Sequence, residues 1–337
     1  MSTESTPTPS ALLFDRSDRL LMQFTGPKAA ESLAGLVTND VLGLTGGDGQ
    51  YACALTNKGR IIADVRILAV VGESGVVDTL LADASAAAGV GFSTMIRKYV
   101  NPRTAKYTDL TMATTCLTVA GEGALALLAA SADEPGRLEP MADGPRFTHR
   151  EVPFGGMTVR VVRIPDLGAA HAFDLHVAAE FGSALTERLT EAGATLSSLD
   201  EWHRHRVMAG WPEWGIDMDE GTLAQEANMD TLQAISYKKG CYTGQETVAR
   251  VHFRGHVNKT LRRVLYEGSE LPPMSAPLLS DAEAPVGDAR SSALDDAQRG
   301  VGIAMVRREV PDGAKLHWVD AGGAVHSARV IGAADDA

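Results

Sequence analysis

The sequence is poor in cysteine and lacks the cysteine spacing that marks disulfide-rich or zinc-binding domains. Its 337 residues include three cysteines, at positions 53, 116 and 241, with no C-x-x-C pair. An odd number without paired spacing indicates neither a disulfide framework nor a thiolate zinc site. We therefore expect a reducing compartment in which each cysteine is a free thiol.

Two further absences narrow the functional class. No stretch approaches the roughly 18 consecutive apolar residues of a membrane span, and the formal net charge of -12 disfavours broad binding to nucleic acids or anionic membranes. The first ten residues are rich in Ser, Thr and Pro, with neither the basic start nor the apolar core of a signal or transit peptide. We expect a cytoplasmic protein with a disordered tail over residues 1–11, no nucleic-acid partner and no membrane partner.

Hydrophobic patterning predicts an α+β protein. The hydrophobic fraction is 45%, and the length favours two or three domains. Strand and helix patterns alternate up to about residue 210, whereas short strands broken by Pro and Gly follow residue 255. The last part is typical of a small β-barrel.

A repeated sequence pattern suggests that the α+β part consists of two similar units. Gly26, Ala29 and Leu33 follow a predicted strand, and the same residue types recur 95 positions later after another predicted strand. Both copies have the order strand, glycine turn, helix. We interpret them as two related modules packed side by side.

The segment at residues 238–246, KKGCYTGQE, places Cys241 between two glycines. Thr243 and Glu246 have the S/T-x-x-E spacing of a capping box, which predicts a helix capped by Thr243. The helix dipole and the two leading lysines then favour the thiolate form of Cys241. The alternative is a surface turn that carries an incidental cysteine.

Other candidate residues have both a functional and a structural interpretation. Arg250 and Arg254 are one turn apart on the predicted helix and could bind a carboxylate, or form a solvated stripe. Asp64 lies in an alternating strand and could be an acid or base, or face solvent. The histidine pairs 203/205 and 252/256 are better explained as polar surface than as metal ligands, because no third ligand is evident.

A glycine pattern at residues 121–126, GEGALA, formally fits a dinucleotide-binding turn. No series of alternating strands and helices of the Rossmann type follows it. We therefore interpret it as a packing turn.

Residues 239–255, KGCYTGQETVARVHFRG, closely resemble the signature of the YgfZ family of folate-binding proteins. These are relatives of the glycine-cleavage T-protein and are implicated in iron–sulfur cluster assembly and repair. Further matching stretches are LVTNDV at 36–41, LTNKGR at 55–60, GWPEWG at 210–215 and LAQEA at 223–227. The resemblance covers nearly all of residues 12–332.

The resemblance implies two ferredoxin-like modules and a C-terminal barrel around a channel for tetrahydrofolate. The T-protein-like region would span residues 12–255, with modules at about 12–110 and 111–210 and a motif segment at 211–255, and the barrel would span 256–337. It places Cys241 beside the channel as the functional group. It also implies two sets of folate-binding residues, one near the pterin and one in or near the motif: Asn39, Tyr51, Asp64 and Glu226; Lys239, Tyr242, Gln245, Arg250 and Arg254.

The departures from the T-protein favour the YgfZ branch. T-proteins carry a Gly-Gly-x-x-Asp-Asp stretch, whereas the corresponding run at residues 59–64 is GRIIAD, with one acid. Met208 stands where T-proteins tend to carry a pterin-binding glutamate, and T-proteins have no equivalent of the Cys241 motif. We therefore expect a tetrahydrofolate-binding accessory protein that serves iron–sulfur proteins or their assembly machinery. The alternatives are a folate-dependent aminomethyltransferase or demethylase that uses Asp64, and a module that senses folate without chemistry.

Overall fold

The computed structural model of the protein describes residues 11–167 and 170–333; of the predicted N-terminal tail, all but Ala11 lies outside these residues. Strands and helices follow one another along the chain in this order: β1 (Leu12–Asp15), β2 (Leu20–Thr25), α1 (Ala29–Ala34), β3 (Gly49–Leu55), β4 (Ile61–Val71), β5 (Val77–Ala84), α2 (Gly89–Tyr99), β6 (Lys106–Asp109), β7 (Thr114–Gly121), α3 (Ala124–Ser131), β8 (His149–Phe154), β9 (Met157–Leu167), β10 (Ala170–Ala178), α4 (Gly182–Glu191), β11 (Thr195–Leu196), α5 (Leu199–Met208), α6 (Gln245–Arg254), β12 (Lys259–Tyr266), β13 (Pro277–Leu279), β14 (Pro285–Leu294), β15 (Gly300–Arg307), β16 (Lys315–Val319) and β17 (Val325–Ala333).

The first sheet is antiparallel, with the strand order β3-β4-β5-β2-β6. Because successive strand residues point to opposite faces, each strand divides its side chains between two cores. One face packs against α1 and α2, where Leu33, Phe92 and Ile96 are fully buried. The opposite face carries Asp64 and Arg66 of β4 toward the centre of the molecule.

The second sheet has the order β11-β1-β7-β10-β9-β8. Its outer face packs against α3 and α4 through Leu128, Leu185 and Leu189, which are fully buried. Its inner face meets the inner face of the first sheet in a central core that also includes Trp202 of α5. The two sheets therefore enclose a common interior.

The two sheets repeat one arrangement. The elements β2 to β6 and β7 to β11 both follow the order strand, helix, three strands, helix, strand, and corresponding strands have the same neighbours except that β1 inserts between β7 and β11. The helices α1 and α3 both begin at the alanines 95 positions apart, Ala29 and Ala124. This supports the hypothesis of two related modules, each with one strand more than a four-stranded ferredoxin-like unit.

The C-terminal strands form the predicted barrel. It is closed, with the order β12-β15-β14-β13-β16-β17, and its interior is filled by residues that include Tyr266, Val306 and Trp318. The α+β fold with a C-terminal β-barrel is therefore confirmed. No helix within residues 11–167 and 170–333 is long and apolar enough to cross a membrane.

Candidate functional site

A buried network of ion pairs connects the inner faces of the two sheets. Arg66 of β4 donates to Asp83 of β5 at 2.9 Å and to Asp174 of β10 at 2.6 Å. Arg19 also pairs with Asp83 through two nitrogens. Burial alone would raise the pKa of Asp83, but Arg19 and Arg66 hold it well below its usual range. The interior is therefore a charged interface between the modules.

The same network contains the group of potential metal ligands found within the described residues. Ligand atoms of Cys116, Asp174 and His176 lie within 4.8 Å of one another. Both oxygens of Asp174 are already hydrogen-bonded, one to Thr118 and the other to Arg66. Burial raises the pKa of the Cys116 thiol well above its ordinary value. These residues are better explained as part of the ion-pair network.

A cavity of about 530 Å³ lies beside this network, and we call it the arginine cavity. Its wall combines residues from both sheets, α5 and the segment after α5: Arg16, Arg19, Tyr51, Asp64, Arg66, Ser85, Ile164, Pro165, Leu167, Trp202, Arg206, Trp211, Pro212 and Glu213. Three of its arginines have close carboxylate partners, because Arg206 of α5 pairs with Asp217 at 2.6 Å and Arg19 and Arg66 pair as described above. The cavity thus presents polar groups inside a buried space.

Tyr51 and Asp64 form one side of the arginine cavity. They lie on neighbouring strands, and the Tyr51 hydroxyl donates to Oδ2 of Asp64 at 2.7 Å. Within the described residues, Oδ1 of Asp64 is buried without a hydrogen-bond partner. Burial raises the pKa of Asp64, although the bond from Tyr51 opposes this shift. Asp64 therefore faces a cavity rather than solvent, as its functional interpretation requires.

A second cavity, of about 1020 Å³, is also lined by Tyr51. We call it the amide cavity, because Asn39, Gln50 and Gln233 line it together with Arg146 and Phe147. The rings of Tyr51 and Phe147 stack with their centroids 5.9 Å apart. Tyr51 lines both cavities and separates them.

Asn39 holds the wall of the amide cavity. Its side-chain nitrogen donates to the carbonyl oxygens of Tyr51 and Gln233, at 2.8 Å each. Both amide hydrogens are therefore used. Gln50 differs, because its side-chain nitrogen is buried and has no partner among the described residues. Gln50, which the sequence analysis did not select, therefore has a buried donor available to a ligand.

The segment that carries Cys241 is fastened to the first module by Lys239. The Lys239 ammonium donates to the carbonyl oxygens of Ala34, Val37 and Asn39, at 2.6, 2.8 and 2.8 Å. Burial lowers the pKa of Lys239 to about 8. Lys239 therefore binds the end of α1 and the backbone of a residue that lines the amide cavity.

Cys241 itself is exposed and free. The helix that follows it begins differently from the prediction: Gly244, with φ of 85°, is the N-cap of α6, and no side-chain cap hydrogen bond is formed there. The predicted capping box of Thr243 and Glu246 is therefore wrong. The Lys239 ammonium, which we expected to favour a thiolate, is instead bound to carbonyl groups.

The remaining predicted folate residues do not line either cavity. Arg250 and Arg254 are exposed on α6, and Gln245 is the first residue of that helix. Tyr242 is 8% exposed and belongs to the central core. Glu226 accepts a hydrogen bond from the backbone of Leu223. The structure thus brings Asn39, Tyr51 and Asp64 together, whereas it places Arg250 and Arg254 on the surface and Tyr242 in the core.

The sequence analysis missed much of the cavity wall. Arg16 and Ser85 come from the connections that follow β1 and β5, where the sequence gives little signal. A better signal was available in the aromatic residues, because the chain has four tryptophans and three of them lie between positions 202 and 214. Two of these, Trp202 and Trp211, line the arginine cavity.

Comparison with known proteins places this architecture in a family. The family model of the GCVT N-terminal domain matches residues 8–239. The chain belongs to the GCVT N-terminal domain family. The match to this family includes both modules, α5 and the segment up to Lys239.

Named relatives agree with the YgfZ resemblance, which is confirmed. The chain is 28% identical over 329 residues to the iron-sulfur cluster assembly factor IBA57 homolog, mitochondrial, of Neurospora crassa, covering 95% of this chain and 67% of that protein. It is also 28% identical over 260 residues to the tRNA-modifying protein YgfZ of Yersinia enterocolitica, covering 74% of this chain and 69% of that protein.

A solved structure shows the same fold. The glycine cleavage system aminomethyltransferase T of Bartonella henselae has a TM-score of 0.81 and 19% identity, and the match covers 96% of this chain and 86% of that chain. The fold of the GCVT family member described here, barrel included, is therefore that of a T-protein.

Proposed function

We propose that this protein is a tetrahydrofolate-binding accessory factor that supports iron–sulfur cluster assembly or repair, with Cys241 as its functional thiol. The observation that carries the proposal is the connection made by Lys239, which joins the exposed cysteine segment to Asn39 at the wall of the amide cavity. Its relatives in Neurospora crassa and Yersinia enterocolitica support it by their names, an iron–sulfur cluster assembly factor and a tRNA-modifying protein.

The residues of the amide cavity fit a reduced folate. The stacked rings of Tyr51 and Phe147 offer an aromatic surface to a pterin, and Gln50 offers a buried donor that lacks a partner within the described part of the chain. Arg146 is exposed at the same cavity, with its guanidinium carbon 5.7 Å from the Trp211 ring centroid. We assign Arg146, rather than Arg250 or Arg254, to the carboxylates of the glutamate tail.

The protein's own residues would then hold the ligand and present the thiol. When bound, tetrahydrofolate supplies nitrogen atoms that can carry a one-carbon unit. Tyr51 would contact the ligand while its hydroxyl keeps Asp64 in place. Cys241, exposed on its segment, would act as a nucleophile or as a transient ligand for iron or sulfur, with further ligands from a partner.

Replacement of Cys241 tests the proposal. We expect Cys241→Ala to bind tetrahydrofolate in calorimetry as the wild type does, yet to fail to restore the activity of iron–sulfur enzymes in a strain that lacks the protein. Gly240→Ala is the matched control, because a Cβ at this neighbouring position meets no atom within 4 Å. Full restoration by Cys241→Ala would remove the thiol from the proposal.

Asp64 favours a second candidate function, a folate-dependent aminomethyltransferase or demethylase. Asp64 lines the arginine cavity, and within the described residues its Oδ1 has no hydrogen-bond partner. This position suits an acid or base. Formation of methylene-tetrahydrofolate from an aminomethyl donor, lost in Asp64→Asn and retained in Cys241→Ala, would favour this candidate over the first.

The name of the YgfZ relative refers to tRNA modification, which we connect with this protein only indirectly. A chain with a formal net charge of -12 carries an overall charge that repels a polyanion. We infer that any link to tRNA modification runs through a client enzyme. Salt-sensitive binding of tRNA to the purified protein would contradict this inference.

A further inference from the structure

The helix α6 lies on the surface and leaves most of its side chains in solvent. Val248 is its buried residue, whereas Arg250, Phe253 and Arg254 are exposed. Phe253 is 68% exposed, which is unusual for a large apolar ring. Within the part of the chain that the structure describes, the ion pair formed by residues 237–259 is that of His252 with Asp230, at 3.9 Å. The two arginines of α6 therefore have no carboxylate partner among the described residues.

Three aromatic rings meet at the C-terminal end of α6. The rings of Tyr237 and His252 stack with their centroids 3.7 Å apart. The Phe253 ring stands edge-on to both, at 6.0 Å from Tyr237 and 4.7 Å from His252. The Tyr237 hydroxyl donates to Asp230 at 2.8 Å. These contacts hold the exposed Phe253 ring in place, which reduces the entropy that a partner would lose by binding it.

This aromatic cluster shares its surface with Cys241. Tyr237 contacts the end of α6, and Gly244 caps its start, so the segment between them runs back along the helix. The exposed Lys238 and Cys241 lie on this segment. Four residues span at most about 14 Å, which keeps Cys241 close to Tyr237. We call this surface the α6 patch, and its residues are Tyr237, Lys238, Cys241, Arg250, His252, Phe253 and Arg254.

The charge of the α6 patch is opposite in sign to that of the whole chain. Residues 237–259 contain five lysine or arginine residues and one acidic residue, Glu246, whereas the chain has a formal net charge of -12. A long polyanion would be repelled by the overall charge, but a folded protein can present a single acidic face. Arginine and aromatic residues are also enriched at the centres of protein interfaces. These observations favour a protein over a nucleic acid as the partner.

We propose that the α6 patch is a docking surface for a protein with an acidic face that surrounds an apolar hollow. Arg250 and Arg254 would pair with carboxylates of this face, and Phe253 would fill the hollow. The inference rests on the proposed function in one respect, because the docked protein would be the one on which the Cys241 thiol acts. Docking itself requires the arginines and Phe253 but not the thiol.

Photocrosslinking in cells identifies what docks on the α6 patch. Phe253→p-benzoylphenylalanine is expressed as the full chain in a strain that lacks the native protein. Tyr99→p-benzoylphenylalanine is the matched control, because Tyr99 is a 53% exposed ring beside Arg97 and Lys98 of α2. We expect position 253, and not position 99, to crosslink to a protein through a peptide rich in Asp and Glu. Adducts with RNA or lipid, or no adduct specific to position 253, would overturn the proposal.

Titration of the purified crosslinked protein into the full chain then measures each contact. The double variant Arg250→Glu/Arg254→Glu should bind at least about a hundredfold more weakly, and Phe253→Ala at least about tenfold more weakly. The control Arg97→Glu/Lys98→Glu should bind as the wild type does. Replacement of the partner's crosslinked acidic residues by lysine should restore binding to the double variant. Wild-type affinity in the double variant would refute the docking surface.

Two further measurements separate this proposal from the proposed function. Cys241→Ala should retain docking affinity, and Arg250→Glu/Arg254→Glu should retain tetrahydrofolate binding, with circular dichroism as the check on folding. We expect the double variant to fail to restore iron–sulfur enzyme activity in the deletion strain. Full restoration by the double variant would refute the docking surface even if Cys241 proved essential. Full restoration by Cys241→Ala would remove the thiol and leave the docking surface in place.

Discussion

At the scale of single residues, His149 shows how burial fixes a protonation state. Its ring is 2% exposed as part of β8. Nε2 lies 3.1 Å from the carbonyl oxygen of Ala69, and Nδ1 lies 2.9 Å from Nη1 of Arg160. Since arginine can only donate, Nδ1 must accept and Nε2 must carry the proton. Burial and the neighbouring Arg160 lower the pKa of His149 to about 3.

Because His149 is neutral in the folded protein, we expect the protein to lose stability in mild acid. The pKa of His149 in the folded protein lies below the value of 6.5 for an unperturbed histidine. Its contribution to the free energy of unfolding is therefore complete above about pH 6.5 and declines as the pH falls toward 3. Between pH 7.5 and pH 5 we expect a loss of about 2 kcal/mol in the free energy of unfolding. Urea titrations of the wild type and of His149→Gln at both pH values measure this loss. The variant should lack this part of the dependence of the free energy of unfolding on pH.

An exposed histidine supplies the control for this pH dependence. His256→Gln changes a histidine at the surface beyond α6 and should keep the wild-type slope. An equal slope in His149→Gln and the wild type would show that other groups cause the acid sensitivity.

The residue scale also shows where sequence reasoning succeeded. Asp64 could be selected because it lies in a regular strand whose alternation can be read from the chain, whereas Tyr51 was selected because the resemblance to the YgfZ family implies it. Arg16 and Ser85 could not, because they lie in the connections that follow β1 and β5, and their position at a cavity depends on the meeting of two sheets that are distant in sequence.

At the scale of elements, the start of α6 depends on close packing against the turn between β3 and β4. Gly244 has φ of 85°, and a Cβ there would lie 2.5 Å from the carbonyl oxygen of Thr56. The predicted capping box was wrong because this long-range contact, absent from a local sequence pattern, determines where the helix begins. A glycine in the left-handed region can also serve as the cap without a side chain.

Substitution of Gly244 is therefore expected to be costly. Gly244→Ala combines an unfavourable φ with a steric conflict, and we expect it to lower the free energy of unfolding by about 1–3 kcal/mol or more. Gly240→Ala, four residues earlier and without a neighbour within 4 Å, should change it by less than about 0.5 kcal/mol. Denaturant unfolding compares the two, and equal losses would contradict the packing argument.

The end of α1 depends on Lys239 in the same way. Removal of its ammonium in Lys239→Met leaves the carbonyl groups of Ala34, Val37 and Asn39 without their shared donor. We expect faster hydrogen exchange in residues 34–39 and 238–243, since the two segments are no longer joined. Lys238→Met, at the exposed neighbouring position, should leave exchange unchanged, and faster exchange in both variants would argue against a specific role for Lys239.

At the scale of the whole molecule, the sequence predicted the fold class, the barrel and the duplicated module. These follow from local patterns, such as the glycine turn and helix that recur at Gly26 and Gly121. The insertion of β1 into the second sheet could not be predicted from local patterns. Leu12 of β1 pairs with Ala120 of β7 and with Thr195 of β11, and both partners are far from it in the sequence. Strand pairing at such separations leaves no mark on the pattern of a four-residue strand.

The barrel is attached to the modules through a buried carboxylate, Asp217. This side chain is fully buried and accepts hydrogen bonds from Arg206 of α5 at 2.6 Å, from the Glu213 backbone at 2.9 Å, and from Ser291 of β14. Because one carboxylate bridges α5 and the barrel, we expect the barrel and the modules to unfold together.

Loss of this carboxylate should therefore weaken the entire molecule. Asp217→Ala leaves the buried Arg206 short of a partner, which typically costs about 3–5 kcal/mol in the free energy of unfolding. Asp296→Ala removes a carboxylate that also pairs with an α5 arginine, Arg204 at 3.0 Å, but its side chain is 91% exposed, so it should cost at most about 1 kcal/mol. Urea unfolding followed by tryptophan fluorescence and circular dichroism compares the two variants. Equal small losses would show that Asp217 does not fasten the barrel.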